Sequence, residues 1–129
     1  MDKVKYWLDL AQYDLESALV MLSGSKYLYV GFMCHQTIEK ALKAYYSNIC
    51  DDVPPYIHNL LRLSELTGLL SQYDKKQRQF IISINPLNIE ARYPIQKEKL
   101  ESLLSKDYCI QLVKETEAFL QWIKNRLSQ

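Results

Sequence analysis

Apolar residues recur at spacings of three and four along most of the chain and almost nowhere alternate with polar ones as a strand requires. Val4, Leu8, Ala11, Leu15, Ala18 and Leu22 fall on one side of a first helix predicted from about Asp2 to Leu22, with Gly24 as its stop. A second helix, roughly Tyr27 to Ile49, ends before Pro54-Pro55, whose rings enforce an extended turn. A third, from about Asn59 to Leu70, carries Leu60, Leu63, Leu66 and Leu70, with Asn59 or His58 near its cap. Asp74 is the expected N-cap of a fourth, whose apolar face is Phe80, Ile81 and Ile84. The stretch from Asn88 to Pro94 reads as irregular and leads into a polar segment. The last helix starts near Ser105 and carries Cys109, Leu112, Val113, Thr116, Phe119, Leu120, Ile123 and Leu127, with Lys124 and Arg126 complementing its dipole. Helices joined by short connections predict an all-α protein, an antiparallel up-and-down bundle of four to five helices forming a single domain over residues 1–129.

The second helix departs from a two-sided pattern. Cys34, Ile38, Ala41, Leu42, Tyr45 and Ile49 form an inward stripe, and Gln36, Lys40, Lys43 and Ser47 lie opposite it. A flank of Phe32, His35, Glu39, Leu42 and Tyr46 mixes aromatic, basic and acidic groups. Such a flank suits a partner or a ligand, and Phe32, Leu42 and Tyr46 are the expected contacts of a homodimer. Ten tyrosines, several of them on this helix, reinforce that expectation, because tyrosine offers apolar area with a polar tip.

Composition changes the picture little. The 129 residues suit one core, and 16 Lys+Arg against 15 Asp+Glu argue against a general nucleic-acid coat. Three widely spaced cysteines, Cys34, Cys50 and Cys109, fit free thiols in a reducing compartment, hence a cytoplasmic protein. No stretch approaches the roughly 20 apolar residues of a membrane span.

Catalytic signatures are largely missing: the chain has no glycine-rich phosphate loop, no H-E-x-x-H and no G-x-S-x-G. His35 and Glu39 stand at i and i+4, yet no further ligands occur at helical spacing, so they read as a hydrogen-bonded surface pair and not as a metal site. His58, between the prolines and the third helix, is expected to bond backbone and hold that turn. Lys40 and Lys43, with Gln36, form a strip that either receives phosphate oxygens or is simply solvated. Arg92-Tyr93, in an irregular segment, either grips phosphate and stacks a base, or Arg92 pairs with an acid such as Glu90 or Asp14. No cofactor is implied.

Ala11-x-x-Asp14-Leu15-x-x-Ala18, Tyr27 through Phe32, Gln36-x-x-Glu39-Lys40-Ala41-Leu42-Lys43-Ala44, Pro54/Pro55 with His58-Asn59-Leu60, and Ala91-Arg92-Tyr93-Pro94 occur in an order that resembles the HEPN domain (higher eukaryotes and prokaryotes nucleotide-binding). The resemblance implies an up-and-down bundle, commonly a homodimer, that often works beside a small nucleotidyltransferase and in some branches is the toxin of a toxin–antitoxin pair. Many such domains are metal-independent ribonucleases carrying an R-x4-6-H motif. No arginine here is followed by histidine at that spacing, so no catalytic residue is assigned and RNA is not the expected substrate. What the resemblance then implies is the non-catalytic branch: a module binding a nucleotide through Lys40, Lys43, Arg92 and Tyr93, or docking a separate nucleotidyltransferase. The alternatives are a ribonuclease toxin using a displaced histidine, His35 or His58, and a dimeric scaffold without a ligand.

Overall fold

The structure, a computed structural model, describes residues 2–89 and 93–129. Six α-helices follow one another: α1 (Lys3–Ser23), α2 (Tyr27–Ile49), α3 (Leu60–Thr67), α4 (Lys75–Ile84), α5 (Pro94–Leu103) and α6 (Lys106–Leu127). Single 3₁₀ turns, Leu70–Gln72 and Asn85–Leu87, flank α4. No strand occurs among the described residues. The helix ends are set by side chains that satisfy orphan amides. Asp2, Asn59, Asp74 and Ser105 accept from backbone N–H groups at the starts of α1, α3, α4 and α6, and Gln77 completes a capping box with Asp74. Gly68 closes α3 at φ 78°, a left-handed position that an L side chain adopts only with strain.

The tight turn after Ser23 folds α2 back along α1, and α6 packs across both, so α2 is enclosed by its neighbours. That enclosure explains the odd pattern of α2. His35, Thr37, Glu39 and Lys43 are buried together with Cys34, Ile38, Ala41 and Leu42. Leu42 therefore belongs to the core and does not line a free flank, whereas Phe32 and Tyr46 are half-buried. At the far end Ile49, expected inside, is exposed. Gly31 permits a close approach on the remaining side, since a Cβ there would lie 3.0 Å from Leu104 Cδ1.

The predicted bounds of α1, α2, α4 and α6 agree with the structure to within a residue or two. The polar segment after Pro94, however, is a helix. Pro94 opens α5 at the position where a missing N–H costs nothing, and Gln96 Oε1 accepts from Tyr93 N at 3.1 Å. No residue of α5 is fully buried, so its sequence carries no strong core period to read.

None of the three thiols is paired. Cys34, on α2, and Cys109, on α6, are completely enclosed, and that burial pushes their thiols up to about 12 and about 11 respectively. A raised pKa withholds the thiolate, the reactive form, until the pH climbs well past ordinary alkylation conditions. Iodoacetamide at mildly alkaline pH is therefore expected to label the half-buried Cys50 first, with Cys34 and Cys109 following only on unfolding. Equal labelling of all three in the native state, read by mass spectrometry, would contradict this packing.

Candidate functional site

The polar residues enclosed by α2 are not scattered. Glu39, with only 2% of its side chain exposed, is the acceptor at their centre. Its Oε2 accepts from Lys43 Nζ at 3.1 Å, and its Oε1 lies 2.9 Å from His58 Nδ1 and 3.9 Å from His35 Nδ1. Since a carboxylate only accepts, Nδ1 of His58 is the donor. His58 thus bonds a side chain of α2 and not the backbone expected for it. His35 and Glu39, expected at the surface, are both inside.

Three chain segments bring these groups together. Lys43 and Glu39 stand one helical turn apart on α2. The proline-bearing loop carries Tyr56 and His58 back over α2, with half-buried Ile57 packed against the core between them. Asn59 and Asn85 lock the loop's far end: Asn85 Oδ1 accepts from Leu60 N at 2.8 Å, and Asn85 Nδ2 donates to Asn59 Oδ1 at 3.2 Å. From α1, Trp7 closes the side. The Lys43 ammonium lies 5.5 Å from the Trp7 ring centre and 5.8 Å from that of Tyr56, so both π faces share one buried cation. The Tyr56 and His58 rings meet edge-on at 5.2 Å.

Around this centre opens a cleft of about 420 Å³ lined by Trp7, Gln36, Glu39, Lys40, Lys43, Tyr56, His58 and Asn88. Lys40 donates to Asp14 Oδ2 at 2.9 Å and to Gln36 Oε1 at 3.1 Å, so Asp14 is the partner of a lysine across the α1–α2 seam. A larger hollow, about 550 Å³, runs between α4 and α6 over Phe80, Phe119 and Trp122. Its polar residues do not converge on a buried charge as those of the cleft do, which makes the cleft the candidate site.

Sequence reasoning found Lys40, Lys43, His35, Glu39, His58 and Asp14, and the fold gathers all six in or beside one cleft. Tyr93 is 77% exposed and is not among the lining residues. Arg92, like Glu90, lies outside the described residues. Trp7, Tyr56 and Asn88 were missed. Trp7 carried one usable signal, an amphipathic aromatic at the edge of the apolar stripe of α1, whereas Tyr56 and Asn88 sit in connections with no period to betray them. Among the described residues no cluster of three His, Cys, Asp or Glu side chains suits a metal ion.

Removing Glu39 alone strands the Lys43 ammonium in a site where that residue is 4% exposed. Glu39→Ala is therefore expected to cost about 3–5 kcal/mol of stability, the usual penalty for breaking a buried pair. Replacing both members, as Glu39→Leu with Lys43→Met, should recover most of that loss, because an apolar pair leaves no charge uncompensated. Chemical denaturation of the two variants beside the unmodified protein decides the matter. A double variant as unstable as Glu39→Ala would refute this account of the pair.

No curated protein sequence matches the chain. The fold is similar to the crystal structure of TT1696 from Thermus thermophilus, with a TM-score of 0.75 at 17% identity, over 97% of this chain and 98% of that one. At that identity the likeness establishes the fold alone. The sequence model of the HEPN domain matches residues 4–126, which takes in all six helices but for their outermost residues, and the chain accordingly belongs to the HEPN domain family.

Proposed function

We propose that this HEPN domain is a non-catalytic module that binds a phosphate-bearing nucleotide in the Glu39–His58 cleft and works with a separate nucleotidyltransferase. The observation that carries this reading is the convergence of Lys40, Lys43 and His58 on a space walled by Trp7 and Tyr56. An ammonium has three N–H donors. Lys43 gives one to Glu39, and Lys40 gives one each to Asp14 and Gln36, so both keep hydrogens for a ligand. The carboxylates fix the lysines in place and reduce the ordering that binding would otherwise demand. Phosphate then meets preset donors, while the 88% exposed Tyr56 ring offers a base a stacking face. Arg92 joins as a further phosphate contact in this reading, and Tyr93 serves the far end of a longer ligand or the partner.

A second reading is favoured by one observation, the 2.9 Å carboxylate–imidazole contact. A His58 ring oriented by Glu39 is built like a general base. It could accept the proton of a ribose 2′-hydroxyl as that oxygen attacks phosphorus. The P–O5′ bond then breaks, and the departing oxygen takes a proton from a lysine ammonium. The missing R-x4-6-H histidine weighs against it.

Titration calorimetry with ATP and GTP on the intact protein tests the first reading. Binding is expected to be weak, to weaken with salt, and to fall at least roughly tenfold in Lys40→Ala and in Arg92→Ala, the size of one charge-assisted contact. An RNA degradation assay should show no cleavage, whereas cleavage abolished by His58→Asn would select the second reading. HEPN domains often dimerise, and this one is expected to do so through the half-buried Phe32 and Tyr46. Light scattering should give a dimer mass at micromolar concentration, shifted toward monomer by Phe32→Glu without loss of helicity.

A further inference from the structure

The cleft contains one polar group that the phosphate-binding reading leaves unused. Asn88, one residue beyond the turn Asn85–Leu87, lines the cleft while being only 6% exposed, and its Oδ1 has no hydrogen-bond partner among the described residues. A buried amide oxygen without a partner is costly, on the order of 1–3 kcal/mol, and a fold keeps one where something else supplies the donor. The amide and carboxylate oxygens beside it are engaged: Gln36 Oε1 takes a hydrogen bond from Lys40, and Glu39 accepts from Lys43 and His58.

A phosphate has no use for an acceptor. An amide, in contrast, presents a coplanar acceptor and donor, the pattern that complements the amino group and adjacent ring nitrogen of adenine, and of cytosine, whose single ring stacks over less area. The lysines of the cleft suit carbonyl and phosphate oxygens, whereas the unpartnered oxygen of Asn88 suits a base amine. We infer that Asn88 is a base-reading residue: its side-chain amide receives the exocyclic amine of a nucleobase resting against the Tyr56 and Trp7 rings, and the preferred ligand is an adenine nucleotide. This inference rests on the nucleotide-binding reading above and adds to it the class of base.

The test compares ATP with purine riboside triphosphate, which has the same shape and charge but lacks the amine, and uses inorganic triphosphate as a third probe, all by calorimetry on the unmodified full chain. ATP should bind roughly tenfold more tightly than purine riboside triphosphate, because the analogue leaves the buried oxygen without a donor. Asn88→Ala should lower ATP affinity toward that of the analogue and abolish the difference between the two. Retained helicity and thermal transition of the variant establish that it is folded, and the comparison on the unmodified protein stands even if it is not. Equal affinity for ATP and purine riboside triphosphate, with both binding, would overturn the role of Asn88 while leaving the nucleotide reading intact. Equal binding of inorganic triphosphate would likewise reduce the cleft to a phosphate site, and failure of all three probes would remove both readings.

Discussion

The constraint on which the rest depends is that a carboxylate taken out of water must find its counter-charges within the fold. Glu39 does so on two sides. Lys43 neutralises it from the next turn of α2, and His58 donates to it from the loop before α3. Because those groups come from different parts of the chain, satisfying one acid also fixes where the proline-bearing loop crosses the bundle. The aromatic walls follow from the same requirement, since Trp7 and Tyr56 cover the Lys43 ammonium with π faces that tolerate a cation better than aliphatic groups would. A buried charge cluster of this kind contributes less to stability than an apolar core of equal volume. Its value lies in the shape it imposes.

Five of the six helices were legible because they obey local rules, α5 being the exception. Caps such as Asp2, Asn59, Asp74 and Ser105 are small polar side chains at the boundary of a periodic stretch, and the apolar stripes of α1 and α6 bury one side as their period requires. The polar side of α2 was not legible in the same way. Periodicity assigns Glu39 and Lys43 to solvent, and only a structure shows that the loop and Trp7 cover them. The pair is self-neutralising, so it survives burial that either residue alone would resist. Leu42 illustrates the same limit from the apolar side: its position between stripe and flank leaves its destination to helices distant in sequence.

The cleft was half visible. Its charged members were found because lysines, acids and histidines are rare enough on one helix to be noticed together. Its aromatic walls and Asn88 were not, since their roles depend on where connecting segments lie. Family membership supplies an expectation of nucleotide chemistry, and the geometry supplies reasons to look for it at Lys40, Lys43 and His58 rather than across the apolar hollow between α4 and α6.

One last consequence comes from α5. Its residues include none that is fully buried, and it is held by Leu100, packed against the core, and by its C-cap Leu104, seated beside Gly31. A helix held along one line is spared the restrictions that packing would impose on its other faces. The exposed positions Glu98, Lys99, Glu101 and Ser102 are thus open to wholesale replacement, and a label or a short peptide grafted there would report on the protein without disturbing its interior.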